Sequence, residues 1–176
     1  MYDFTWSNFC DWYIELIKPR LYGDNEKERS SALSTAVYVL RSLLKLLHPY
    51  APFITEAIWQ FLKTSDDPDI ILAPWPGKEK TPADKAAVRD MELIMGVITA
   101  IRTIRSEMTV PPSKKADVLI GGGTEESRKI LEARRGDLIS LGKIGALKIA
   151  GKVEKPALAS SAVGERTGRF MFPWKG

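Results

Sequence analysis

The chain has 176 residues, 44% hydrophobic, 27% charged and 9% aromatic, which excludes a disordered or collagen-like polymer and allows one average domain or two small ones. No apolar run approaches the roughly 18 residues that a membrane-spanning helix needs, and Met1-Tyr2-Asp3-Phe4-Thr5-Trp6 lacks the basic and apolar parts of a signal peptide. The net charge of +4 sits on the last third: residues 1–115 carry 15 basic and 15 acidic side chains, residues 116–176 carry 11 and 7. That balance permits nucleic-acid binding without announcing it.

The first two thirds read as helices. Tyr2, Trp6, Phe9, Cys10, Tyr13, Ile14 and Ile17 share one face of a helix over Tyr2–Lys18, which Pro19 ends and Gly23 closes. Asp24 or Asn25 caps a second helix, whose stripe is Leu33, Ala36, Val37, Leu40, Leu43, Leu44 and Leu47, stopping at His48-Pro49. Pro52 suits the first turn of a third, with Ile54, Ala57, Ile58, Phe61 and Leu62 inward. Residues 63–82 form a long proline-rich connection, anchored by its apolar stretch Ile70–Trp75, with Trp75 expected in the core. A fourth helix from about Ala83 to Met108 turns Met91, Ile94, Met95, Ile98 and Ile101 inward and stops before Val110-Pro111-Pro112.

Beyond the double proline the pattern changes. Ala116–Ile120 is a strand, Gly121–Gly123 a turn, Glu125–Leu141 helical with a break near Gly136, Ala146–Ala150 a second strand, and Ala157–Val163 with Arg169–Pro173 a hairpin. The expected fold is mainly α: an antiparallel helical bundle over 1–112 and a small α+β subdomain over 113–176.

Few residues can carry chemistry. One cysteine, Cys10, and one histidine, His48, exclude an internal disulfide, a zinc site and most Cys/His nucleophile pairs, and point to a reducing, cytoplasmic compartment. No P-loop, G-x-S-x-G or G-x-G-x-x-G occurs, and Gly121–Gly123 lacks the Lys-Ser/Thr of a phosphate cradle. His48, before Pro49, suits capping of helix carbonyls. Two features remain. Arg102 and Arg105 lie about 20° ahead of and 40° behind Met91 around the fourth helix, close to its apolar side, and Lys114 and Lys115 follow. Arginines so placed snorkel or face a polar ligand; helix-dipole compensation and two loop lysines are the plainer account. Trp12 stands about 130° from its helix's stripe, near Lys18 and Arg20, where it suits base stacking or packing on a neighbouring helix.

Four segments then form a recognisable series: Phe9-Cys10-Asp11-Trp12-Tyr13-Ile14-Glu15; His48-Pro49-Tyr50-Ala51-Pro52-Phe53-Ile54-Thr55-Glu56-Ala57-Ile58-Trp59; Leu72-Ala73-Pro74-Trp75-Pro76; and Ile101-Arg102-Thr103-Ile104-Arg105-Ser106-Glu107-Met108. Together they resemble the anticodon-binding region of valyl-tRNA synthetase, a class I aminoacyl-tRNA synthetase. The second segment is shared more loosely with the isoleucyl, leucyl and methionyl enzymes, and the equivalent region of the isoleucyl or leucyl enzyme is the alternative; a protein-interaction bundle without an RNA role is the rival from another class. The resemblance implies a fragment lacking the catalytic and editing domains, the bundle's N-terminal helix and the C-terminal coiled coil. Such a fragment binds the anticodon loop of valine-specific tRNA as a monomer, does no chemistry and needs no cofactor, while the parent ligase uses ATP with magnesium. The RNA-facing candidates are Arg102, Arg105, Lys114 and Lys115, with Trp12, Lys18 and Arg20 as further ones.

Overall fold

The computed structural model describes residues 1–77, 84–151, 159–164 and 168–173, the last two ranges as backbone. Two compact units emerge, Met1–Pro82 and Ala83–Gly176.

In the first unit a π-helical segment, Phe4–Tyr13, runs into helix α1 (Ile14–Leu21). Wider i→i+5 winding turns each residue through a smaller angle than an α-helix does, so the expected stripe does not hold at its start. Phe9 and Ile17 are buried, while Tyr2 and Trp6 are exposed. Pro19 does not end the helix, which continues to Leu21; the stop comes at Gly23, where a Cβ would lie 2.8 Å from the Pro19 carbonyl oxygen. Helix α2 (Glu26–Leu47) starts at Asn25, whose side chain accepts from the amides of Lys27 and Glu28. Tyr13 donates its hydroxyl to the Ala32 carbonyl (3.2 Å), fastening the two helical stretches.

Helix α3 (Pro52–Leu62) begins at Pro52, as its sequence dictates, but faces differently from the expectation. Thr55 and Trp59 are its buried residues, whereas Ile54 and Phe61 are exposed and Ala57 faces solvent with them. Trp59 decides the orientation. Its ring is fully buried between Leu44 and Ile70, with Leu40, Ile58, Leu62 and Ala73 packed around them. Its indole N–H donates to the Pro68 carbonyl at 3.0 Å, satisfying the one polar atom that burial would otherwise strand. The Arg41 guanidinium and Lys45 ammonium lie 4.6 and 5.5 Å from the ring centroid. The connection is thus anchored by Ile70, in the short 3-10 turn Ile70–Leu72, and not by Trp75, which is 62% exposed.

Arg41 also pairs with Asp67, which accepts from the Thr64 amide (2.8 Å) and hydroxyl (3.0 Å). The Arg41 hydrogen bond first, then that of the Thr64 amide, hold the Asp67 carboxyl well below the ordinary carboxylate range.

The second unit opens with helix α4 (Lys85–Glu107), capped by Asp84, and its buried residues Ile94, Val97, Ile98, Ile101 and Ile104 match and extend the expected inward face. Strand β1 (Ala116–Gly121) leads through Gly122 and Gly123, with φ of 89° and 69°, into α5 (Glu125–Ala133) and α6 (Arg135–Gly142). The helical stretch breaks at Arg134. Strand β2 (Ile144–Ala150) runs parallel to β1, with Val118 opposite Leu147 and Ile120 opposite Ile149. Strands β3 (Ala159–Gly164) and β4 (Gly168–Pro173) form the expected hairpin, and β4 pairs antiparallel with β1. The order is β2-β1-β4-β3. The hairpin tip and residues 157–158 lie outside the described residues, as does the expected start of α4 at Ala83.

Helix α4 packs on α5, α6 and β3. Helix α4 therefore belongs to the second compact unit, in which Val118, Ile120, Leu131, Leu138 and Ile144 are also buried.

Two variants test the first unit's core. Trp59→Ala should cost about 3–5 kcal/mol in urea melts, whereas Trp75→Ala should stay within about 0.5 kcal/mol. Equal losses would place Trp75 in the core after all. Asp67 gives a pH test. A depressed folded pKa contributes stability that is complete above the ordinary value of 3.8 and fades as the pH falls below it toward the folded value. Asp67→Asn should therefore lower the Tm at neutral pH, and the gap to the parent should close in strong acid; a gap independent of pH would show that the charge contributes nothing.

Candidate nucleic-acid interface

The cationic candidates of the second unit gather where α4 ends. Helix α4 closes with the Thr109 amide donating to the Ser106 carbonyl (3.0 Å) and the Val110 amide to the Arg105 carbonyl (2.9 Å). This is a Schellman ending, and it places Thr109 in the left-handed region at φ 51°. Glycine usually takes that position; a β-branched residue there is strained, so the surrounding contacts must hold the turn in place. Val110-Pro111-Pro112 then leads into the loop that carries Lys114 and Lys115.

Arg105 supplies the contacts that hold it. Only 7% exposed, its guanidinium donates to three carbonyls: Lys143 (3.4 Å) from Nη1, and Pro111 (3.2 Å) and Lys114 (2.7 Å) from Nη2. Lys143, itself left-handed at φ 51°, aims its carbonyl at Arg105, accepts from the Ala116 amide at 3.3 Å and donates its ammonium to the Pro112 carbonyl at 3.0 Å. Arg105, expected among the RNA-facing residues, is thus turned inward and committed to backbone carbonyls. The partners that retain it are backbone carbonyls, which no charge pattern in the sequence announces. Neither the strained turn at Thr109 nor the part of Lys143 was legible beforehand; only the double proline marked the place.

Arg102, one turn earlier, is exposed, with Nε donating to the Leu141 carbonyl at 3.3 Å. Lys114 and Lys115 are exposed on the anchored loop. Arg102, Lys114 and Lys115 therefore stand at one end of this unit around a fixed backbone. The remaining candidates belong to the other unit. Trp12 is partly buried in the π-helical segment, Lys18 is exposed and pairs with Glu15 at 2.5 Å, and Arg20 is exposed in the last turn of α1.

Two other sequence features are architectural. The imidazole Nδ1 of His48 lies 2.8 Å from the Thr55 hydroxyl, which donates to the Ala51 carbonyl at the same distance. His48 thus locks the α2–α3 turn and caps no carbonyl through its ring. Around Gly121–Gly123 the carbonyls of Gly122 and Gly123 accept from Arg128 at 3.3 and 2.7 Å, as in a strand-to-helix turn. Among the described residues no three His, Cys, Asp or Glu side chains converge on a common point. Nor is any described helix long and apolar enough to cross a membrane.

A mainly helical fold with a basic loop at a helix end fits RNA recognition, and comparison with known proteins gives the class. The family model for the anticodon-binding domain of tRNA ligase matches residues 1–120, and the chain belongs to that family. It is similar to the valine–tRNA ligases of Geobacter sulfurreducens (42% identical), Enterococcus faecalis (39%) and Bacillus subtilis (38%). These matches cover 93%, 98% and 93% of this chain but 18%, 19% and 18% of the relatives. The chain thus spans less than a fifth of their length.

The role of Arg105 can be tested without RNA. Arg105→Ala should cost about 1.5–3 kcal/mol, because a charged donor is lost and buried carbonyls go unpaired. Arg105→Lys should recover little, since a single ammonium cannot reproduce the planar fork. Unchanged melting of both variants would remove Arg105 from the architecture.

Proposed function

We propose that this chain is the tRNA anticodon-recognition part of a valine–tRNA ligase, and that it binds tRNA without performing chemistry. The observation that carries this is the similarity to valine–tRNA ligases along nearly the whole chain, within a family defined by anticodon binding. The geometry supports it. Anticodon loops are single-stranded, so their bases can be splayed, stacked and read on their edges, while phosphates are met by point charges. Lys114 and Lys115 supply such charges from a loop that Arg105 fixes, and Arg102 offers a planar guanidinium one helical turn away from that anchor. Trp12, Lys18 and Arg20 form a second, weaker group. Valine, ATP and magnesium belong to the parent ligase's remaining polypeptide; the chain acts as a monomer in the cytoplasm.

Binding and chemistry separate in the test. The chain should bind valine-specific tRNA in a gel shift yet give no valine-dependent exchange of pyrophosphate into ATP; exchange above background would overturn the absence of chemistry. Lys114→Ala and Lys115→Ala should weaken all tRNAs alike and flatten the salt slope by about 0.7–0.9 per lost phosphate contact. Arg102→Ala should instead lose about 1–3 kcal/mol of discrimination between tRNAs, if it meets a base as arginines do in base-specific contacts. Unchanged affinity and salt slope in both lysine variants would remove the loop from the interface.

A further inference from the structure

We infer that Arg135, held by Glu132, is a stopper on the open edge of the second unit's sheet, and that without it this edge pairs with the same edge of a second copy of the chain. Among the described residues β2 stands at the end of the order β2-β1-β4-β3. A strand in that position turns a row of amides and carbonyls outward, ready to be extended by another strand. Its residues, Ile144-Gly145-Ala146-Leu147-Lys148-Ile149-Ala150, include no proline, and Lys148 is their one charge. Side chains of β2 itself therefore do little to prevent such pairing.

The hydrogen bonds show which groups face outward. The Ala116 amide donates to the Lys143 carbonyl at 3.3 Å, and the Gly122 amide to the Ala150 carbonyl at 3.1 Å. Both carbonyls point at β1 although they lie an odd number of residues apart, whereas successive residues of a strand face opposite edges. An extra residue resolves the parity. Ala116 pairs with Ile144 but Val118 with Leu147, so β2 bulges at Gly145-Ala146. The Asp117 carboxylate takes the amide of Ala146 at 2.9 Å, and it comes that near because residue 145 is glycine: a Cβ there would stand 2.8 Å from Oδ1. Counted back from Ala150, Leu147 and Ile149 turn their amides and carbonyls away from β1.

Arg135 interrupts that outward row at its middle. From the first position of α6 it donates Nη2 to the Leu147 carbonyl, while both oxygens of Glu132 hold Nη1 at 3.0 and 2.9 Å. The guanidinium thus occupies an acceptor that an incoming strand needs, and the carboxylate keeps it from swinging away. Attachment alone does not require this contact. Helix α6 already packs on β2, with Leu138, Ile144 and Leu147 buried. The occupant kept out is a second copy, because two β2 strands running antiparallel about a two-fold axis present each other with the same outward row at the same spacing.

Analytical ultracentrifugation over a concentration series tests this on the 176-residue chain. Arg135→Ala should strengthen self-association by about tenfold or more, the worth of one hydrogen bond to a charged group, while near-UV circular dichroism keeps the parent's signal. Glu132→Gln, which leaves the guanidinium in place but frees it, should act in the same direction and more weakly; it alone carries the comparison if Arg135→Ala unfolds. Adding Ile149→Pro to either variant should restore the parent's behaviour, because it removes an N–H that faces outward and leaves the ladder to β1 intact. Folded variants that self-associate no more than the parent, whatever their Tm, would make Arg135 a tie between helix and sheet and overturn the inference. Association that persists in a folded Ile149→Pro double variant would place the contact on another surface and overturn it too. Where the proline costs folding, a spin label at Lys148→Cys in a Cys10→Ser background decides: mutual broadening in the associated variant supports pairing through β2, and its absence overturns it.

Discussion

A buried guanidinium cannot be left without acceptors, and that constraint organises the second unit where α4 ends. Arg105 sits 7% exposed at the end of α4, and taking its charge out of water is tolerable only with hydrogen bonds to several oxygens. It finds them in the carbonyls of Pro111, Lys114 and Lys143, from two stretches of backbone that must both bend toward it. The left-handed turns at Thr109 and Lys143 are the local form of that bending. Each is unfavourable for its residue, and each persists because the arginine and the helix-ending hydrogen bonds over-determine it.

The first unit solves the analogous problem with an indole. Trp59 brings a large apolar area and one N–H into the core, and the Pro68 carbonyl answers the N–H. Once Trp59 points inward, the rest of α3 follows: Thr55, one turn earlier, is inward too, and its hydroxyl receives the ring of His48. The connection is then held by Ile70 and Pro68, close to Trp59, leaving Trp75 further along exposed.

What the sequence discloses follows the range of the forces involved. Helix starts are set by local hydrogen bonds, so Asn25 and Pro52 marked theirs, and the end of α4 before the double proline was equally plain. The face of α4 was legible because its isoleucines occupy one side only. The face of α3 was not, because Ile54, Ala57 and Phe61 form as good a stripe as the residues that are actually buried, and periodicity cannot choose between two apolar sides. The π-helical winding at Phe4–Tyr13 likewise broke an inference that assumes 3.6 residues per turn. Among the site residues, the exposed positions of Lys114 and Lys115 followed from their loop, whereas Arg105 could be sorted from Arg102 only by partners distant in sequence.

Those three-dimensional partners explain why two arginines one turn apart have different surroundings. Rotated toward the core, Arg105 fixes the backbone that carries Lys114 and Lys115; rotated outward, Arg102 keeps its guanidinium at the surface. A lysine on a mobile loop loses backbone and side-chain freedom when it meets a phosphate, and that loss is subtracted from the contact. Here the Lys114 carbonyl is already tied at 2.7 Å and its amide donates to Pro111 at 3.0 Å, so the backbone share of the loss is borne by folding. On the proposed reading, the gain from Arg105 in RNA binding is therefore indirect and independent of base sequence. If Arg102 meets bases as proposed, loss of Arg105 would loosen the loop without changing which bases Arg102 can reach, so affinity would fall while discrimination among tRNAs persisted.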